Sequence, residues 1–176
     1  MSYTKAFVDL DKSIHDRESF DCDELELNNF IRTQASRLMD AGISKTMVLP
    51  ASISLPNGKT PICAFYSISP TSMKREDLPD NLAKNLPRYP IPVFLLAQLA
   101  VHKEFKGLGL GKVALVNALE YFYKISAHMP AYAVAVDCLN KNSESFYRKY
   151  GFQILCKQNG RSRMFIPMKQ VSELFK

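Results

Sequence analysis

The stretch from Val93 to Lys112 constrains this chain most. Val93 to Val101 is an almost unbroken apolar run, interrupted only by Gln98, and Lys106-Gly107-Leu108-Gly109-Leu110-Gly111-Lys112 follows soon after. A run of that kind reads as a strand covered on both faces. From Gly109 to Ser126 the apolar positions Leu115, Leu119 and Phe122 line one helical face, which predicts a helix opening at the glycines. Such a turn presents successive backbone N–H groups to one concavity. The helix N-terminus adds partial positive charge, and absent side chains let an anion come close. Lys106 and Lys112 bracket the loop and add charge of the right sign. A tight turn needing glycine only for its backbone angles explains the loop equally well when it is taken alone.

Two rival phosphate motifs fail on spacing. A P-loop needs a glycine five residues before the Gly-Lys pair and a hydroxyl residue after it. Here Lys106 and Val113 stand at those places. A dinucleotide fingerprint needs its third glycine one residue later than Gly111, and no opening strand of a Rossmann unit precedes the loop.

The remaining chain reads as alternating strands and helices. Ala6 to Leu10 alternates as a first strand would. Leu27, Phe30, Ile31 and Leu38 recur at helical spacing, predicting a helix over residues 24–39 with carboxylates at its start. Ile43 to Leu49 and Ile62 to Ile68 read as an antiparallel hairpin joined through Pro56-Asn57-Gly58. Residues 70–92 carry five prolines and read as a long connection with a short helical piece, a kind of segment that often binds substrate and as often only spans distance. Ala133 to Val136 is a further buried strand. A helix over 142–150 ends at Gly151, suited to a left-handed cap. Phe152 to Cys156 and Met164 to Met168 read as a final strand pair. The expected fold is α/β (α+β), with a mixed central sheet of about six to seven strands flanked by helices, in one domain over 1–176.

Composition closes off other classes. No apolar run reaches the roughly 18 residues a membrane span needs, and no signal peptide is legible at the start, so a cytoplasmic location is expected. The four cysteines form no C-x-x-C pair, and Cys63, Cys138 and Cys156 lie in apolar stretches as small core residues. The three histidines, His15, His102 and His128, stand at no metal-ligand spacing, and no metal site is predicted. The formal net charge of +6 suits an anionic partner, a phosphorylated cofactor or a nucleic acid, or simply a basic surface.

Leu99-Ala100-Val101 leading into Lys106-x-x-Gly109-x-Gly111 resembles the acetyl-CoA motif [Q/R]-x-x-G-x-[G/A] of the GNAT family of N-acetyltransferases. Asn140-x-x-Ser143-x-x-Phe146-Tyr147-x-x-x-Gly151-Phe152 resembles that family's second signature. The resemblance covers almost the whole chain and implies a GNAT fold and acetyl-CoA as co-substrate. It implies a cofactor site made of Leu99, Ala100, Val101, Lys106, Gly107, Leu108, Gly109, Leu110, Gly111, Lys112, Asn140 and Ser143. Lys106 departs from the usual Gln or Arg, keeping a charge but losing the forked geometry. The resemblance also makes Tyr147 the general acid that protonates the departing thiolate. A phenol with an ordinary pKa of roughly 10 is ready to donate at neutral pH. Phe146 and Tyr150, four apart, are expected to face the core, with Tyr147 about 100° round the helix and pointing elsewhere. No carboxylate lies on the strand from Phe94 to Val101 to serve as a base; His102 and Glu104 are the nearest titratable groups. An α-amine near pKa ~8 needs less help in losing a proton than a lysine side chain near ~10.4, so the missing base leans toward an α-amine.

A narrower resemblance is to the GNAT toxins that acetylate the amino acid on charged tRNA and pair with ribbon-helix-helix antitoxins. It rests on Phe20-Asp21-Cys22, Ala64-Phe65-Tyr66-Ser67, Ile91-Pro92-Val93 running into Leu95 to Val101, and the ending Met164 to Lys169 with Leu174-Phe175. Gln98 and His102 stand where that subgroup usually has Arg and Asp. The resemblance implies aminoacyl-tRNA as acceptor, an antitoxin partner and a homodimer. Arg32, Arg37, Lys45 and Arg88 are then candidates for a tRNA-facing basic surface, or else scattered solubilising charge. An acetyltransferase of a small-molecule or protein amine, and a binding module that keeps the cofactor fold without catalysis, are the competing readings.

Overall fold

The computed structural model describes residues 2–4 and 6–176. Its strands are β1 (Val8–Asp9), β2 (His15–Asp16), β3 (Lys45–Pro50), β4 (Thr60–Met73), β5 (Ile91–Val101), β6 (Ala133–Asp137), β7 (Gln153–Gln158) and β8 (Arg161–Pro167). Its α-helices are α1 (Leu25–Asn29), α2 (Ala35–Asp40), α3 (Asp80–Ala83), α4 (Leu110–Ser126), α5 (Lys141–Lys149) and α6 (Met168–Glu173). The strands form one mixed eight-stranded sheet in the order β1-β3-β4-β5-β6-β8-β7, with β2 beside β4 off that path. This is the expected α/β class, with one or two more strands than the sequence suggested.

The chain divides into two compact units, Met1–Ser69 with Ala97–Ala118, and Pro70–Leu96 with Leu119–Lys176. In the first, β3 and β4 form the predicted antiparallel hairpin, from Lys45↔Ile68 to Pro50↔Ile62. Its turn is closed by Leu55 and Lys59, whose backbone groups bond at 2.7 Å. Between α1 and α2 the backbone widens into a π-helical turn, Phe30–Gln34. The predicted apolar face is present: Phe30, Ile31 and Ala35 are buried with Phe20, Val48, Ile62 and Phe65, while Leu27 and Leu38 pack against that cluster.

In the second unit β5 pairs parallel with β6, from Phe94↔Val134 to Leu96↔Val136. β8 runs antiparallel to both β6 and β7. Met73, Ile91, Val93, Ala133, Ala135 and Phe165 are buried in one cluster. Proline did not end strands where the sequence implied it would: β4 continues through Pro70 to Met73, and β5 begins before Pro92. Pro92 lacks an N–H to give the ladder, yet its carbonyl accepts from Tyr132 at 2.9 Å. The remainder of 70–92 holds a 3-10 turn, Arg75–Asp77, and the short α3, as expected of a connection with a helical piece.

Of the cysteines expected in the core, Cys63 and Cys138 are buried and Cys156 only half-buried, while Cys22, in a polar stretch, is buried. Burial pushes the Cys63 and Cys138 thiols each up to about 11. Among the described residues no His/Cys/Asp/Glu group is arranged to hold a metal, and no helix is long and apolar enough to cross a membrane.

Candidate active site

The glycine loop and the tyrosine helix fall in different units, and each has its own geometry. In the loop, Gly107 and Gly109 take left-handed backbone angles, φ +82° and +77°. Chain neighbours aside, no heavy atom lies within 4 Å of a Cβ built on either, so the requirement for glycine at both positions is conformational. Gly111 falls inside the first turn of α4. The first helical bond runs from the Val113 N–H to the Gly109 carbonyl at 3.2 Å. Leu110, Gly111 and Lys112 therefore stand where a helix leaves N–H groups without intrahelical partners. Leu110 is anchored in a buried cluster with Leu49, Ala51, Cys63, Ala64 and Phe105, which fixes the start of α4. Leu108 and Lys112 are exposed. Leu99 and Val101 are half-buried and Ala100 buried, all beyond the last registered β5–β6 pair.

Lys106 does not stand free beside the loop. Its ammonium donates to the Cys22 carbonyl at 2.8 Å and lies 3.6 Å from an Asp23 carboxylate oxygen. His102, at the end of β5, caps the turn Lys103–Phe105: its Nδ1 accepts from the Glu104 N–H at 3.1 Å. The imidazole sits edge-on to Phe20 and Phe105. Glu104 is exposed.

On α5 the expected orientation is reversed. Tyr147 is the buried member, 6% exposed, whereas Phe146 and Tyr150 are half-buried. The reason lies just past the helix. Gly151, at φ +93°, turns the chain so that the Phe152 ring comes back to 5.3 Å from the Tyr147 ring, tilted by 59°, and the Phe146 ring lies 5.2 Å from it. Burial, with a smaller contribution from nearby Cys138, pushes the Tyr147 phenol well above its ordinary value. The group stays protonated throughout the neutral range.

Asn140 and Ser143 form a reciprocal capping box at the start of α5. The Asn140 side chain accepts from the Ser143 N–H at 3.0 Å, and Ser143 Oγ accepts from the Asn140 N–H at 3.0 Å. In this structure the two residues of the motif fix the helix that carries Tyr147.

Of the four cations considered for a basic surface, two are engaged elsewhere. The Arg32 guanidinium donates to the Phe20 carbonyl, and Lys45 pairs with Asp9 at 3.1 Å. Arg37 and Arg88 are exposed. The contacts that sequence reasoning missed are those of Lys106, because its partner is 84 residues away and is a backbone carbonyl.

The Acetyltransferase (GNAT) family profile matches residues 83–152, a span that contains both the loop and Tyr147. A probable toxin TacT of Sinorhizobium fredii is 27% identical over 173 residues, covering 94% of this chain and 92% of the relative. A tRNA-acetylating toxin of Mycobacterium tuberculosis is 28% identical over 139 residues, 79% of each chain. Among solved structures, AtaT complexed with acetyl-methionyl-tRNAfMet superposes with a TM-score of 0.85 at 25% identity, covering 97% of this chain and 99% of that one. A tyrosine-to-phenylalanine mutant of AtaT, bound to the C-terminus of the antitoxin AtaR and acetyl-CoA, shares the fold with a TM-score of 0.80 at 22% identity, covering 97% and 98%.

Proposed function

We propose that this chain, which belongs to the acetyltransferase (GNAT) family, acetylates the α-amine of an aminoacyl-tRNA with acetyl-CoA as donor and acts as the toxin of a toxin–antitoxin pair. The observation that carries the donor half is the loop. Two left-handed glycines lead into a 17-residue helix whose first N–H groups lack intrahelical partners, and no other part of the chain crowds a Cβ position on either glycine. That arrangement suits the diphosphate of coenzyme A, held by backbone from Gly107 to Lys112. Leu99, Ala100 and Val101 offer strand-like backbone to the extended pantetheine chain. The acceptor half draws on the relatives: a probable toxin and a tRNA-acetylating toxin align with most of this chain, and AtaT structures hold acetyl-methionyl-tRNAfMet, and the C-terminus of the antitoxin AtaR with acetyl-CoA.

In this reading the acceptor nitrogen attacks the thioester carbonyl carbon, a C–N bond forms, the C–S bond breaks, and coenzyme A departs as a thiolate. The Tyr147 phenol gives that sulfur its proton, and the proton lost by the amine returns to the phenolate through solvent. Burial keeps this phenol protonated across the neutral range, so the proton is in place when the thiolate forms. An α-amine needs no strong base, which agrees with His102 Nδ1 being committed to capping. The whole span 1–176 is read as one acetyltransferase domain working as a homodimer with a ribbon-helix-helix antitoxin. Labelled acetyl-CoA and a full set of charged tRNAs test the proposal. Label is expected on the aminoacyl group of at least one tRNA, and none on any of them would overturn it.

A further inference from the structure

The cation at the head of the glycine loop is spoken for by another segment of the chain. Phe20 to Asp23 is stitched to residues 102–106 at several points. The Lys103 N–H donates to the Asp21 carbonyl at 2.9 Å, and the Lys103 ammonium pairs with the Asp21 carboxylate at 3.0 Å. Lys106 donates to the Cys22 carbonyl at 2.8 Å and faces Asp23. The Cys22 peptide is itself immobilised, because Asn28 Oδ1 accepts from the Cys22 N–H at 2.9 Å and Asn28 Nδ2 donates to Asp21 Oδ1 at 3.0 Å. Asp23 adopts a left-handed backbone, φ 67°, which its N–H supports by donating to Asp21 Oδ1 at 2.9 Å. Cys22 and Asn28 are 3% and 7% exposed, so this clasp has a rigid floor.

We infer that Lys106 is a positioning residue of the donor loop, locking it to the Asp21–Asp23 segment, and not a ligand of the cofactor's phosphates. The inference rests on the reading of this loop as the acetyl-CoA cradle. Three facts carry it. The ammonium gives one of its three protons to a carbonyl whose flanking N–H groups are held by Asn28 and Asp21. Its second neighbour is a carboxylate, which would repel a phosphate brought to the same point. Lys106 immediately precedes Gly107, the first left-handed residue of the loop, so its bond to Cys22 sits at the loop's entry.

The two roles predict opposite signs for one substitution. If Lys106 pins the loop, Asp23→Asn weakens the pin, and the dissociation constant for acetyl-CoA rises, by about twofold as expected for an exposed ion pair. If Lys106 binds phosphate, the same change frees the lysine and removes a repelling charge, and the dissociation constant falls. Lys106→Met removes the bond to Cys22 and is expected to raise the dissociation constant and KM for acetyl-CoA about fivefold or more, with kcat little changed. Asn28→Ala, which frees the Cys22 peptide, is expected to reproduce that KM effect, and to add little to it in the Lys106→Met background. Titration calorimetry with acetyl-CoA, steady-state kinetics and a thermal melt on the full chain give all readouts, Lys106→Arg serving as the conservative variant that recovers affinity. Tighter binding by Asp23→Asn, or additive effects of Asn28→Ala and Lys106→Met, would overturn the inference. Failure of the loop reading itself looks different: Gly109→Val would then leave acetyl-CoA binding intact.

Discussion

The Phe152 N–H donates to the Tyr147 carbonyl at 3.2 Å, and the Gly151 N–H donates to the Arg148 carbonyl at 3.2 Å. These paired bonds are a Schellman closure of α5, and they exist because Gly151 accepts a left-handed angle. A Cβ at Gly151 would meet Gln170 and Ile166 only at ordinary contact distances, 3.5 and 3.6 Å. The cost of Gly151→Ala is therefore backbone strain, about 1–2 kcal/mol, or a melting temperature lower by a few degrees. Because Phe152 is one wall around Tyr147, kcat is expected to fall while acetyl-CoA affinity holds. Calorimetric melts and acetyl transfer assays check both.

Tyr147→Phe is expected to lower kcat about a hundredfold or more, with acetyl-CoA binding and melting temperature nearly unchanged, since only a hydroxyl leaves an apolar nest. The pH profile follows from the direction of the phenol's shift. Its folded pKa lies above its unfolded value, so the protonated, donating form persists across neutral pH, and the associated stability is full below the unfolded value of roughly 10 and is lost as pH rises from there through the folded pKa. Wild-type kcat should show no descending alkaline limb below about pH 10. A limb falling near neutrality would assign the acid to another group.

Gly107→Ala and Gly109→Ala each force a side chain into left-handed angles, at about 1–2 kcal/mol. If the loop relaxes instead, its N–H groups turn away from the phosphates, and acetyl-CoA affinity is expected to fall about tenfold. The empty space above both positions means that contact with protein atoms is not the cause. Calorimetric titration with acetyl-CoA separates this from a loss of fold.

How much of this was legible depended on how local the cause was. The angles of Gly107, Gly109 and Gly151 and the β3–β4 hairpin are set by residues a few positions apart, and the sequence pattern carries them. β4 running through Pro70 is not legible, because proline argues locally for an end and the surrounding sheet overrides it. Tyr147 was expected to point away from the core, since helical periodicity knows nothing of a Phe152 returning beyond the helix end. The bond from Lys106 to Cys22 leaves no trace at all, because any residue offers a carbonyl.

Asn140 allows a direct separation of two roles. As a cap, Asn140→Ala costs about 1 kcal/mol, lowering the melting temperature by about 2–4 °C, and affects acetyl-CoA affinity little. As a cofactor ligand, it would lose affinity without that thermal cost. The capping geometry predicts the first outcome, and replacement by Asp, which also caps, should restore stability.

Salt dependence tests the acceptor. Polyanion binding releases counterions, so KM for a charged tRNA should rise on the order of tenfold or more between about 50 and 200 mM salt, even with only a few phosphate contacts. The net charge of +6 gives the chain the right sign for this. Arg37 and Arg88 are exposed, so Arg37→Gln and Arg88→Gln should flatten the slope if their charges meet the tRNA backbone. Arg32→Gln should act differently: its guanidinium holds the Phe20 carbonyl, so it is expected to lower the melting temperature and leave the salt slope alone. A KM for charged tRNA that ignores salt would mean that the acceptor is recognised without its backbone, and would favour a small amine.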